Sequence, residues 1–181
     1  MNSIRSLSAL LVLLVVGLSG TASAGSLNVG DMAPNFVLSA SDGNSYDLAF
    51  FKNKRAVVIA WFPKAYTSGC TIECKSLAEN GHLIRKYDVA YFMASVDSVE
   101  DNTGFAKENR ADFPLLSDPE GVTAAAYGVL SEGGYAQRQT FYIGIDGRIL
   151  KIDSAVVPET SAQDIVDNLE ALEIAPLNPG P

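Results

Sequence analysis

The residues best placed to do chemistry are Cys70 and Cys74, four apart in the run Phe62-Pro63-Lys64-Ala65-Tyr66-Thr67-Ser68-Gly69-Cys70-Thr71-Ile72-Glu73-Cys74. The apolar stretch Ala56–Phe62 precedes the loop and Pro63 ends it, which reads as a strand buried on both faces. A helix is predicted to begin near Ser68 to Cys70. Cys70 then falls in or just before the first helical turn, where unpaired backbone N–H groups and the positive end of the helix dipole face its sulfur. Both favour the thiolate, which is the nucleophilic form of cysteine. Thr67 can direct its hydroxyl at the same sulfur, cap the helix, or do both. The pattern is that of an activated thiol nucleophile. The residues alone also admit two buried cysteines that merely fill apolar space.

The elements that must position this pair alternate between strands and helices. Gly30-Asp31-Met32-Ala33-Pro34 opens as a turn, and strands are predicted at Asn35–Ser39 and Ser45–Leu48 around the turn residues Ser41-Asp42-Gly43-Asn44. After the strand Ala56–Phe62 the helical pattern runs from Thr71 to Tyr87, with Ile72, Leu77, Leu83 and Ile84 as its apolar members and Glu73, Lys75, Glu79, Arg85 and Lys86 among its polar ones. There follow a strand at Val89–Val96, a helix at Val99–Asn109, a short strand at Leu115–Leu116 and an Ala-rich helix at Glu120–Tyr127. Gln139–Ile143 and Ile149–Ile152 flank Asp146-Gly147 as a hairpin, and Ser161–Leu172 is a last amphipathic helix. Pro176–Pro181 is expected to fray. This order predicts an α/β protein with a mixed central β-sheet flanked by helices, of the thioredoxin-like kind. Tyr46, Phe50, Phe51, Tyr87, Phe92, Phe105, Phe113 and Phe141 are expected in or beside the core. Asp97, Glu100, Asp101, Asp118 and Glu120 are expected on solvated faces and at helix starts.

Composition narrows the function. The chain has 181 residues, 48% hydrophobic and 19% charged, which excludes general disorder. Lys+Arg total 13 against 21 Asp+Glu, a balance that argues against nucleic acid and anionic membranes as partners. A single histidine, His82, excludes multi-histidine metal sites, and two cysteines are too few for a disulfide scaffold. No phosphate loop, dinucleotide fingerprint or calcium loop is present, so neither cofactor nor metal is expected. The N-terminus reads as an export signal: Arg5 gives a short basic region, Ala9–Leu18 is apolar and too short to span a bilayer, and Ala22-Ser23-Ala24 is a small-residue cleavage site. The expected organisation is a signal peptide at 1–24 and one domain at 25–181. The expected location is the periplasm or the cell exterior, an oxidising setting in which a cysteine pair can cycle through a disulfide.

Pro63-x-x-x-Thr67-x-x-Cys70 resembles the active-site signature of the peroxiredoxins, thiol peroxidases of the thioredoxin superfamily. The longer Phe62-Pro63-Lys64 … Thr67-Ser68-Gly69-Cys70-Thr71 is similar to the Q-type, or bacterioferritin-comigratory, branch. Gly30-Asp31-x-Ala33-Pro34-x-Phe36-x-Leu38, Phe113-Pro114-Leu115-Leu116-Ser117-Asp118, Tyr127-Gly128-Val129 and Arg138-x-Thr140-Phe141-x-Ile143 resemble further family segments in the family's order. The resemblance spans nearly all of the chain after the leader. It implies that Cys70 attacks a peroxide oxygen and becomes a sulfenic acid. It implies that Arg138 lowers the thiolate pKa and holds the peroxide, that Thr67 hydrogen-bonds thiolate and peroxide, and that Pro63 shields the sulfur from water. On this reading Arg138→Ala slows peroxide attack without unfolding the protein. Backbone N–H groups near Gly69 and Cys70 would stabilise charge on the leaving oxygen. The implied partners are a hydrogen or organic peroxide and a thioredoxin-like or other thiol reductant, with the protein a monomer or weak dimer.

There is one departure. In that branch a nearby resolving cysteine usually lies five residues on; here Cys74 lies four on. Cys74 is the expected resolving residue, and were it inert the enzyme would need an external thiol. Two rival classes share the fold. A Sco-type copper-binding assembly factor would use the Cys-x-x-x-Cys pair with a distal histidine, whereas His82 lies on the same helix as Cys74. A thiol–disulfide oxidoreductase mostly uses Cys-x-x-Cys.

Overall fold

A computed structural model describes residues 27–177. The predicted leader at 1–24 lies outside the described residues. The helical elements are α1 (Ser68–Ile84), α2 (Val99–Glu108), α3 (Val122–Ala126) and α4 (Ser161–Ala171); the strands are β1 (Val37–Ala40), β2 (Ser45–Asp47), β3 (Ala56–Trp61), β4 (Val89–Ser95), β5 (Leu115–Ser117), β6 (Gln139–Ile143) and β7 (Ile149–Asp153). They form one sheet in the order β2-β1-β5-β4-β3-β6-β7. β4 runs parallel to β3 and to β5, while β6 is antiparallel to β3 and to β7. The predicted mixed sheet and its hairpin are therefore present.

β3 is central because it is apolar on both faces. Ala56, Val58 and Ala60 join the core under α1, α2 and α4, and Val57, Ile59 and Trp61 join a second core with α3 on the other side. Such a strand suits only a position covered by helices on both sides. α1 buries Cys70, Glu73, Cys74, Leu77, Gly81 and Ile84, a stripe at helical spacing that packs on α4.

Several sequence expectations shift. The second strand stops at Asp47, whose carboxylate accepts the Ala49 N–H at 2.9 Å and starts a 3-10 turn at Leu48–Phe51. The Ala-rich helix starts at Val122, because Asp118 and Gly121 form a turn in which Gly121 takes φ 67 and Asp118 accepts the Ala124 N–H at 2.7 Å. Asp97 and Asp118 are buried rather than solvated, and Phe50 is exposed rather than in the core. Of the end expected to fray, residues 178–181 lie outside the described residues, while Pro176 bridges to Tyr87 and the Leu177 N–H donates to the Lys86 carbonyl at 2.7 Å.

Candidate active site

Sheet register brings the distant arginine to the cysteine. β3 and β6 pair antiparallel with Trp61 opposite Gln139, so the residues just beyond, Phe62 and Arg138, meet at the same end of the sheet. That is the end at which the chain leaves β3 and turns into α1. Thr67 is the residue ahead of α1, and the first helical bond runs from the Thr71 N–H to the Thr67 carbonyl at 2.9 Å. The N–H groups of Ser68, Gly69 and Cys70 therefore precede the ladder and converge on the first turn. Cys70 is the third residue of α1, and its side chain is buried.

Arg138 Nη2 donates to Cys70 Sγ at 3.2 Å. A cationic donor and the start of the helix thus face the same sulfur. Gly69 makes room for this contact, since a Cβ there would stand 3.3 Å from Nη2. The other arm of Arg138 forms an ion pair with Glu73, whose side chain is completely buried. Glu73 Oε1 has no hydrogen-bond partner among the described residues. The guanidinium thus bridges the sulfur and a buried carboxylate one helical turn further along α1.

Glu73 is the functional residue that sequence reasoning missed, because an ionisable helix residue is exposed by default. A signal existed. Glu73 lies three after Cys70 and four before Leu77, on the buried stripe, whereas Ile72 faces outward and is 38% exposed.

Pro63 and Thr67 sit in the loop between β3 and α1, but Thr67 does not make the expected contact with the sulfur. Its hydroxyl donates to the Lys64 carbonyl at 2.8 Å, and it makes no side-chain cap on the helix. Its oxygen keeps its capacity to accept a hydrogen bond. Pro63 is half-buried and carries no N–H, so strand pairing ends there. The loop is anchored from the segment between β4 and α2: the buried Asp97 accepts the Ala65 N–H at 2.8 Å and faces Lys64 Nζ at 3.8 Å.

Cys74 lies on the same helix one turn later, fully buried, and both cysteines are free thiols. Burial, with a smaller contribution from the charge of Cys70 and a small opposing one from Lys75, pushes the Cys74 thiol from 9.0 up to about 12. Cys74 is thus held protonated one helical turn from Cys70. The folded state keeps this proton where the unfolded chain releases it, so this contribution to stability is present below pH 9.0 and lost as pH rises through about 12. The reduced protein is expected to lose stability above pH 9.0, and Cys74→Ala to lose less over the same range. Below pH 10.0, where the buried tyrosines would begin to release protons if unfolded, the difference belongs to Cys74. Denaturant midpoints of both proteins at several pH values check this; parallel pH slopes would contradict it.

The copper reading finds no support. Among the described residues no group of three or more His, Cys, Asp or Glu is placed to hold a metal ion, and His82 lies exposed on α1.

A thioredoxin-like sheet that presents a helix-start cysteine to an arginine donor defines a thiol-reactive oxidoreductase. The AhpC/TSA family matches residues 29–152. Peroxiredoxin Bcp of Escherichia coli is 33% identical over 130 residues, covering 68% of this chain and 83% of that protein. A putative peroxiredoxin of Mycobacterium tuberculosis is 33% identical over 131 residues, covering 68% and 83%. Among solved structures, peroxidoxin BcpB of Mycobacterium tuberculosis aligns with TM-score 0.72 at 29% identity, covering 79% of this chain and 96% of that one. PrxQ of Xylella fastidiosa aligns with TM-score 0.74 at 25% identity, covering 81% and 98%. The chain belongs to the AhpC/TSA family and is a peroxiredoxin, a thiol peroxidase.

Proposed function

We propose that the exported form of this protein reduces hydrogen peroxide and organic hydroperoxides through Cys70, that Cys74 resolves the product, and that a thioredoxin-like or other thiol reductant regenerates both. The Arg138 donor 3.2 Å from the sulfur of a helix-start cysteine carries this reading. The Cys70 thiolate attacks one oxygen of ROOH, the O–O bond breaks, and the leaving alkoxide takes a proton, which gives Cys70–SOH and ROH. Arg138 and the N–H groups at the start of α1 are placed to stabilise the charge on the leaving oxygen. Thr67 accepts from the peroxide, and Pro63 keeps water off the sulfur. The Cys74 thiol then attacks the sulfenic sulfur, which gives a Cys70–Cys74 disulfide and water, and two reductant thiols restore the pair.

In an intact helix, residues four apart have Cβ atoms about 5–6 Å apart, against roughly 3.5–4.5 Å in a disulfide. The first turn of α1 must therefore loosen by about one or two ångströms for resolution. One equivalent of peroxide added to the reduced protein is expected to lower its intact mass by about 2 Da, with Cys70 and Cys74 in one cross-linked peptide. A lasting sulfenic acid on Cys70 with Cys74 still a free thiol would make this a one-cysteine enzyme.

The leader argues for the periplasm or the exterior, and N-terminal sequencing of the exported protein is expected to begin at Gly25. The acidic balance argues against nucleic acid and anionic membranes as partners. No helix of the described residues is long and apolar enough to cross a membrane. A monomer or weak dimer is proposed, to be read from light scattering over a concentration series.

A further inference from the structure

The loop that joins β3 to α1 holds one residue in an unfavourable backbone state. Tyr66 has φ 64, in the left-handed region that a bulky residue rarely adopts. It lies four residues before Cys70, at the hinge about which the first turn of α1 must open. Its ring stands edge-on to Phe105 at 5.4 Å, and Phe105 stacks on Phe62 at 5.9 Å. Its hydroxyl donates to the Asp101 carbonyl at 3.2 Å. The ring lies over Gly104 so closely that a Cβ there would collide with the tyrosine hydroxyl. Yet the residue is 52% exposed, so little besides this notch holds its ring.

The hinge is thus strained and clamped from outside, by α2. We propose that Tyr66 is a positioning residue that latches the start of α1. Seated over Gly104, it keeps Cys70 at the helix start facing Arg138. Released, it lets the loop leave the left-handed state and the first turn open, which brings Cys74 within bonding reach. The inference rests on the peroxidase reading of Cys70. The latch sets the competition for the sulfenic acid: Cys74–SH converts it to the disulfide and water, whereas a second ROOH converts it to Cys70–SO2H and ROH.

The test treats the reduced protein with graded equivalents of hydrogen peroxide and reads two products by intact mass. The disulfide is lighter by about 2 Da and the sulfinic acid heavier by about 32 Da. Tyr66→Asn tolerates the left-handed backbone but has no ring, and Gly104→Ala displaces the ring from its notch. Both are expected to need at least about threefold more peroxide than wild type for an equal sulfinic fraction, and to react more slowly in the first oxidation. Tyr66→Phe, which keeps the ring, is expected to stay close to wild type. Ile149→Val, in the core on the opposite side of the sheet, lowers stability without touching the hinge and is expected to leave the partition unchanged. Wild-type partition in both Tyr66→Asn and Gly104→Ala, or a shift toward sulfinic acid, overturns the latch. A shift in Ile149→Val equal to theirs reduces Tyr66 to a structural residue and also overturns it. A wild-type protein that consumes no peroxide at Cys70 overturns instead the reading on which the latch rests.

Discussion

Cys70→Ser is expected to abolish peroxide consumption, a loss of roughly a thousandfold or more, while leaving the fold intact. The missing property is chemical. Near neutral pH a serine hydroxyl stays protonated even beside a cationic donor, so no anion is available to attack the O–O bond. The product of attack is missing as well, because oxygen has no counterpart of the sulfenic acid that sulfur forms when it gives two electrons to the peroxide. Serine is close in size to cysteine, and its hydroxyl can accept from Arg138 Nη2 where the sulfur now does, so the buried position is not left unpaired. Wild-type protein, Cys70→Ser and Cys74→Ser assayed with peroxide and a small dithiol separate the roles. Cys74→Ser is expected to keep the first oxidation and change only its fate. Sustained turnover in Cys70→Ser would end the peroxidase reading.

Much of this site is legible in the sequence because it rests on local rules. An apolar run closed by Pro63, followed by a helical pattern, places Cys70 at a helix start without any knowledge of the rest of the chain. The sheet order is less legible from spacing. That Arg138 reaches Cys70 depends on β6 lying antiparallel beside β3 with Trp61 opposite Gln139, which the resemblance implied and the register shows. The failures are residues whose type argues against their position. Glu73 and Asp97 are ionisable, hence expected outside, and both are buried because a specific partner awaits them: a guanidinium for one, a loop N–H for the other. Phe50 fails the opposite way. A phenylalanine is expected inside, but it sits on the 3-10 turn that Asp47 starts, facing solvent with Lys54 Nζ 3.7 Å over its ring. Thr67 stands just ahead of α1, yet its hydroxyl orientation is set by the nearest carbonyl, that of Lys64. Pattern reading sees burial by residue class, whereas these positions are decided by single pairings between distant segments.

The Arg138–Glu73 pair changes what Arg138→Ala should do. From the sequence the expected effect is slower attack without loss of fold. The structure adds a second effect, since truncating Arg138 leaves the Glu73 carboxylate buried with no counter-charge. Removing one partner of a buried ion pair costs about 3–5 kcal/mol, a large part of the stability of a domain of this size. Arg138→Ala is therefore expected to lower the denaturant midpoint clearly as well as to slow the reaction. The kinetic loss follows from the donor on the sulfur: a charge-assisted contact of about 1.5–3 kcal/mol corresponds to a ten- to hundredfold fall in the rate of peroxide attack. The two effects separate in the double variant. With Glu73→Gln added, no uncompensated charge remains in the core, and at least half of the lost stability is expected to return, the remainder reflecting a buried amide with imperfect partners. The rate is not expected to return, because nothing in the double variant donates to Cys70 Sγ in place of the guanidinium. Denaturant midpoints and second-order rate constants on wild type, both single variants and the double variant close the cycle. Recovery of rate together with stability would mean that Arg138 acts only by holding the fold. An Arg138→Ala protein as stable as wild type would mean that Glu73 carries no charge there.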